Sequence, residues 1–289
     1  MPVVGSSHSG NPTRHPIYYL PGADLVLRLT ASNILYRLPS SYLVLDSACF
    51  ESMLSLHPSD IQEGRTDDKP LDIPGITSAE LECFLDFQLR HRLPRNDQAA
   101  LTTILRLGHF FQYEAAQIEA AAALEQLPSF DAISKYVLGL KMGIRRWVMG
   151  GFSELVSPGA QRPLTREEVE RLELMPYHAI METRANVEAH RRSIAYCIPP
   201  MAHVKGCPDE INCGLAWKLE WKNKVAPHLM HPEEAVSGQA VLTMLENKDI
   251  QEVHPACRLA MVDRMKASGV LTHEDRIVER ALQYLAPPE

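Results

Sequence analysis

The chain has 289 residues, 45% hydrophobic and 22% charged, with a formal net charge of −7. That length holds one large domain or two of common size, with a real core in either case. The acidic balance offers nucleic acid no basic field, and no apolar run reaches the roughly 20 residues that a membrane-spanning helix needs.

Met1-Pro2-Val3-Val4, followed by Gly, Ser, His and Asn, does not form a secretory signal. The expected setting is the cytoplasm and/or nucleus, where the six cysteines stay free thiols. Residues 1–16 are rich in Ser, Gly, Pro and His without periodicity and are expected to form a flexible arm. Ile17-Tyr18-Tyr19-Leu20 is a short β-prone run that can cover the edge of its own domain.

Residues 24–29 alternate, with Leu25, Leu27 and Leu29 on one face. After the turn Thr30-Ala31-Ser32-Asn33, residues 34–38 alternate again, with Ile34, Tyr36 and Leu38 together. Pro39-Ser40-Ser41 then opens a helix carrying Tyr42, Leu45, Cys49 and Met53. Beyond a polar loop, Leu71-Asp72-Ile73-Pro74 reads as a third strand. Thr77-Ser78-Ala79-Glu80 is a capping box for a helix bearing Leu81, Phe84, Leu85 and Leu89. Asn96-Asp97 caps the next helix, and the alanines of 115–124 favour another.

Leu127-Pro128-Ser129 marks a boundary, after which the pattern is helical throughout. Helices are expected near 130–141 and 144–156, ended by Pro158-Gly159. Thr165 and Glu168 form a second capping box, and Pro199-Pro200 breaks the helix that follows. Pro208 precedes a helix through about Val225, and Pro232, Pro255 and Thr272 open three more, the second stopped by Gly269. The fold class is therefore α+β: a small sheet covered by helices over 17–126, then an all-α domain over 127–289.

The first of these domains resembles the BTB/POZ family. The likeness lies in Gly22-Ala23-Asp24-Leu25-Val26-Leu27-Arg28-Leu29, the stretch from Leu38-Pro39-Ser40-Ser41 to Ser52-Met53-Leu54, Leu71-Asp72-Ile73-Pro74-Gly75-Ile76, and Leu81-Glu82-Cys83-Phe84-Leu85-Asp86-Phe87. It covers about 20–125. Pro39-Ser40 stands where family members carry a His-Lys pair, which makes this a divergent member, similar to the BTB proteins of mushroom-forming fungi that continue into a helical tail. The resemblance implies a homodimer formed through the first helix (Tyr42, Val44, Ser47) and an N-terminal strand (Ile17, Tyr18, Tyr19, Leu20) exchanged between subunits. It also implies a cullin contact through a hydrophobic-x-Glu triplet, here Ile61-Gln62-Glu63, in a loop where Asp60, Glu63, Asp67 and Asp68 otherwise suggest a solvated acidic segment.

No phosphate loop, dinucleotide fingerprint, zinc-protease motif or nucleophile elbow is present, so no catalytic residue is nominated and no enzyme is expected. Arg145-Arg146 and Arg191-Arg192 read as solvated helix faces, and Trp217 and Trp221 as core anchors. Cys197, His203, Cys207 and Cys213 fall within 17 residues and are the ligand types that structural zinc takes. Their spacings match no common finger, and buried free cysteine is an ordinary core residue. No metal and no cofactor is expected; zinc is the alternative, with Cys257 able to replace one member. The leading functional expectation is a self-associating adaptor or scaffold, in its most specific form a substrate receptor of a cullin-type ubiquitin ligase holding an unidentified client. A transcription or chromatin cofactor without ligase activity, and a metal-binding module centred on 197–213, are the other two readings.

Overall fold

The computed structural model describes residues 11–44, 47–55, 63–157, 162–231 and 234–285. The chain divides into two units, Met1–Phe130 and Asp131–Glu289. The division falls just after Leu127-Pro128-Ser129.

In the first unit, β1 (Thr13–Tyr19), β2 (Leu25–Leu29), β3 (Ile34–Leu38) and β4 (Leu71–Ile73) form one sheet in the order β1-β3-β2-β4. β2 and β3 are antiparallel, with Leu27 opposite Tyr36 and Leu29 opposite Ile34. Asn33, at φ 54°, closes their turn by donating its N–H to the Leu29 carbonyl at 2.8 Å. β4 lies parallel beside β2, and β1 parallel beside β3. The one-sided alternation expected for the hairpin is incomplete. Val26 and Leu35, on the opposite face, are 0% and 1% exposed. The hairpin is thus covered on both faces, as a near-continuous apolar run requires.

β1 begins inside the segment expected to be a flexible arm. His15 supplies the reason. Its Nδ1 accepts the N–H groups of Ile17 and Tyr18 at 3.2 and 2.9 Å, and its ring stacks on Tyr36 at 4.6 Å. These contacts order the backbone around Pro16. Residues 1–10 lie outside the described residues.

Among the described residues, five helices complete this unit: α1 (Ser40–Val44), α2 (Ala48–Ser55), α3 (Ser78–Arg90), α4 (Gln98–Phe110) and α5 (Glu114–Glu125). The single helix expected after Pro39 is split, because Ser47 caps α2. Its Oγ accepts the Phe50 N–H at 3.2 Å and donates to the Phe111 carbonyl, while its backbone bridges Tyr113. Leu45 and the Met53 side chain lie outside the described residues. Thr77 and Glu80 form the expected capping box, and Asp97 caps α4 through the Ala100 N–H at 3.0 Å. Phe111 stacks on Phe50 and lies tilted against Phe84, with ring centroids 4.9 and 5.5 Å away, and Leu81, Leu85, Ile104 and Leu105 are buried in the same unit. Each fully buried side chain of this kind contributes about 1.5–3 kcal/mol.

The second unit is helical: α6 (Ala132–Met142), α7 (Arg145–Val156), α8 (Arg166–Leu172), α9 (Leu174–Tyr196), α10 (Glu210–Glu220), α11 (Ala226–Met230), α12 (Gly238–Asn247), α13 (Pro255–Ser268) and α14 (His273–Leu285). One cluster gathers Tyr136, Val148, Phe152, Ile180 and Leu282; another gathers Trp217, Trp221, Leu242, Leu245 and Met261. α6 and α7 approach through reciprocal glycines. A Cβ on Gly151 would stand 2.6 Å from the Ala132 carbonyl, and one on Gly139 would stand 2.7 Å from the Val148 nitrogen. α10 runs into α11 through a π-turn, Trp221–Val225. Pro227 has no N–H to give and its ring crowds the carbonyl four residues back, which the wider turn absorbs. The helix expected to open at Pro232 begins instead at Gly238, where the Ser237 hydroxyl caps the Ala240 N–H at 3.2 Å. Pro232 and Pro158-Gly159 lie outside the described residues.

Arg145 and Arg146 are exposed, as expected. Arg191 corrects the reading of Arg191-Arg192 as a solvated pair. It is 2% exposed and grips Glu274, itself 7% exposed, at 2.6 and 3.2 Å. Its remaining donors meet the Leu229 and Val236 carbonyls at 3.2 and 3.0 Å. No helix among the described residues is long and apolar enough to cross a membrane.

Candidate functional site

α9 stops where Pro199-Pro200 removes two consecutive N–H donors, and the chain from Cys197 to α10 has no regular secondary structure. Side chains hold it down. Trp221 Nε1 donates to the Ile194 carbonyl at 3.2 Å and Trp217 Nε1 to the Pro199 carbonyl at 3.1 Å. Both indoles are buried, as core anchors should be. Further along, the Ala202 N–H meets the Met261 sulfur at 3.0 Å, and the Val204 N–H meets Cys257 Sγ at 3.4 Å. Val204 to Cys207 is a tight turn, closed by the Cys207 N–H on the Val204 carbonyl at 3.1 Å. Gly206, at φ 101°, takes the position that a side chain would strain.

That turn brings His203 and Cys207 against the first turns of two helices. Cys213 is buried in the first turn of α10, and Cys257 in the first turn of α13. The ligand atoms of His203, Cys207, Cys213 and Cys257 all lie within 4.8 Å of one another. The two buried sulfurs each accept a backbone amide: Val204 N–H on Cys257, and His254 N–H on Cys213 at 3.5 Å. Nδ1 of His203 is buried without a hydrogen-bond partner. Burial pushes the Cys207 thiol up to about 11. Hydrogen bonds with Cys257 and Cys213 push the same way, against a lowering by the Asp209 amide. Three sulfurs and an imidazole converging from separate elements form a donor set for a four-coordinate cation.

Of the residues singled out from the sequence, His203, Cys207 and Cys213 are brought together, and Cys197 is not. Cys197 is exposed at the end of α9, where the helix break turns it away, and Cys257 takes the fourth place. Sequence spacing conceals this, because Cys257 arrives from a distant helix.

The partner residues implied for the first unit divide in the same way. Ile17, Leu20 and Tyr42 are exposed, and Val44 is half-buried. Tyr18 is buried, with its hydroxyl donating to Asp86, and Ser47 is buried as the α2 cap. Tyr19 is half-buried and donates to Asp67 at 2.6 Å, beneath Arg14. Asp67 itself is no solvated loop acid. Burial works to raise its pKa, but hydrogen bonds from Tyr19 and Arg14 outweigh that and hold the carboxyl below its usual range. Ile61 and Gln62 lie outside the described residues, and Glu63 is exposed.

Comparison with protein-family models, with curated proteins and with solved structures finds no match.

Proposed function

We propose that the chain is a protein–protein interaction adaptor whose first unit is a divergent BTB domain and whose helical unit holds a client. The observation that carries this reading is the element order of the first unit. A β2–β3 hairpin, a helical pair, β4 beside β2, and then α3, α4 and α5 follow as the family resemblance implies. Ile17, Leu20 and Tyr42 leave apolar surface for self-association on that unit. In the helical unit, α10 turns Cys213, Ala216 and Trp217 inward. It leaves Ile211, Leu215 and Leu219 at 77%, 52% and 57% exposed along one stripe. Apolar residues four apart on a solvent-facing helix are what a partner helix covers.

In its most specific form the reading is a substrate receptor of a cullin-type ubiquitin ligase. Light scattering of the purified chain at tens of micromolar, on the order of weak protein affinities, should then show a dimer. Deleting residues 1–20 weakens that dimer if β1 is exchanged between subunits and leaves it intact if β1 only covers its own sheet. A cullin should co-purify, and Ile61→Ala should cost about 1–3 kcal/mol of that binding. A strict monomer removes self-association; a dimer that binds no cullin leaves a plain scaffold.

A further inference from the structure

We propose that His203, Cys207, Cys213 and Cys257 bind one zinc ion that fastens the irregular chain after α9 to the first turns of α10 and α13. This holds whether or not the first unit self-associates. A tetrahedral zinc with bonds of about 2.3 Å to sulfur and about 2.0 Å to nitrogen sets its ligand atoms about 3.8 Å apart or less. The four donors already stand within 4.8 Å of one another. Side-chain adjustment on the order of 1 Å is enough to close the shell.

Loading is an exchange without redox chemistry. Three S–H bonds are replaced by three Zn–S bonds, three protons leave to solvent, and neutral imidazole donates its lone pair. Three thiolates around a divalent ion leave one net negative charge. The site is equipped for it: amides of Val204 and His254 point at Cys257 and Cys213, and α10 and α13 both present N-termini there. Buried thiols alone need no such donors. The unpartnered Nδ1 of His203 belongs to the same account, because a polar atom buried without a partner is costly. With all four positions taken by protein, the ion has no open coordination site, so its role is structural.

Elemental analysis of the full chain, purified without chelator, should find about one zinc per chain. Cobalt substitution should give the visible bands of a tetrahedral thiolate site. Cys207→Ser and His203→Ala should lose the metal, His203→Cys should keep it with an altered cobalt spectrum, and Cys197→Ser should change nothing. Chelation should lower the Tm and release three further thiols to a thiol reagent. That count decides the matter even if Cys207→Ser fails to fold. The proposal is overturned by a chain that takes up no zinc under reducing conditions. It is equally overturned by iron in its place, by zinc retained in both Cys207→Ser and His203→Ala, or by chelation that exposes no thiol.

Discussion

Among the described residues, the sheet-containing unit buries His15, Ser47 and Gln88 but no carboxylate, lysine or arginine, whereas the helical unit buries Arg184, Arg191, Arg258 and Glu274. The difference follows from how each unit satisfies its backbone. Ladder hydrogen bonds pair β2 on both sides, leaving apolar side chains to fill the space. A helix instead ends on carbonyls without partners. In an all-helical unit such ends fall inside, and each of the three buried arginines ends on one. Arg184 donates to the Leu155 carbonyl at 2.8 and 2.6 Å, Arg258 to that of Leu245 at 2.6 Å, and Arg191 to that of Leu229 at 3.2 Å. A guanidinium suits this place because it carries five donors and favours the negative end of the helix dipole.

The largest test of the contrast is Glu274→Ala. It strips Arg191 of its counter-charge and should cost about 3–5 kcal/mol. Trp147, Trp217 and Trp221 all belong to the helical unit, so tryptophan fluorescence during denaturant unfolding reads this loss directly. A cost below about 1 kcal/mol, the range of an exposed pair such as Arg28 with Asp72, would erase the distinction between the units.

In the sheet-containing unit the matching blow is apolar. Phe84→Ala, which removes a buried ring packed against Phe111 and Tyr113, should cost about 3–5 kcal/mol. Amide hydrogen exchange in β2 and β3 measures it, with protection expected to fall there. Next comes the glycine contact of α6 with α7. Gly151→Ala drives a methyl into the Ala132 carbonyl and should cost about 1–3 kcal/mol, whereas Gly150→Ala, with open space around it, should be neutral or stabilising.

The smallest expected effect concerns the start of α8. Arg162, followed by the Thr165 N–H, holds the Glu168 carboxyl down at about 2. A folded pKa below the unfolded value of about 4.3 adds stability above that pH, which is lost as pH falls toward 2. Glu168→Gln should flatten this acid limb of the tryptophan-monitored stability curve, and Thr165→Ala should cost about 1 kcal/mol at neutral pH. Because Arg162 is largely exposed, salt should weaken the Glu168 contribution; a limb unchanged by salt and by both variants would contradict this account.

Much of the fold is legible without coordinates because its signals are local. The hairpin around Thr30-Ala31-Ser32-Asn33, the capping boxes at Thr77 and Thr165, the Asp97 cap and the left-handed stop at Gly269 each depend on residues within a few positions. The α+β class and the order of elements follow from them. Burial is less legible where a residue has two plausible fates. Ser47 reads as a surface position on a helix, yet the Phe111 carbonyl, far along the chain, recruits it as an interior cap. Arg191 reads as half of a solvated pair until Glu274 meets it.

The amino-acid sequence by itself determined the local elements, their caps and breaks, and the ligand types gathered near the Pro199-Pro200 break. Only the tertiary structure decided which cysteines meet. Cys197 and Cys213 lie closer in sequence, but the end of α9 leaves the first exposed, while α13 delivers Cys257 to the cluster. Secondary structure is set by interactions across three or four residues, and sequence spacing reports them well. The convergence of His203, Cys207, Cys213 and Cys257 depends instead on packing Trp217, Trp221 and Met261 into one core, a long-range event that spacing does not encode.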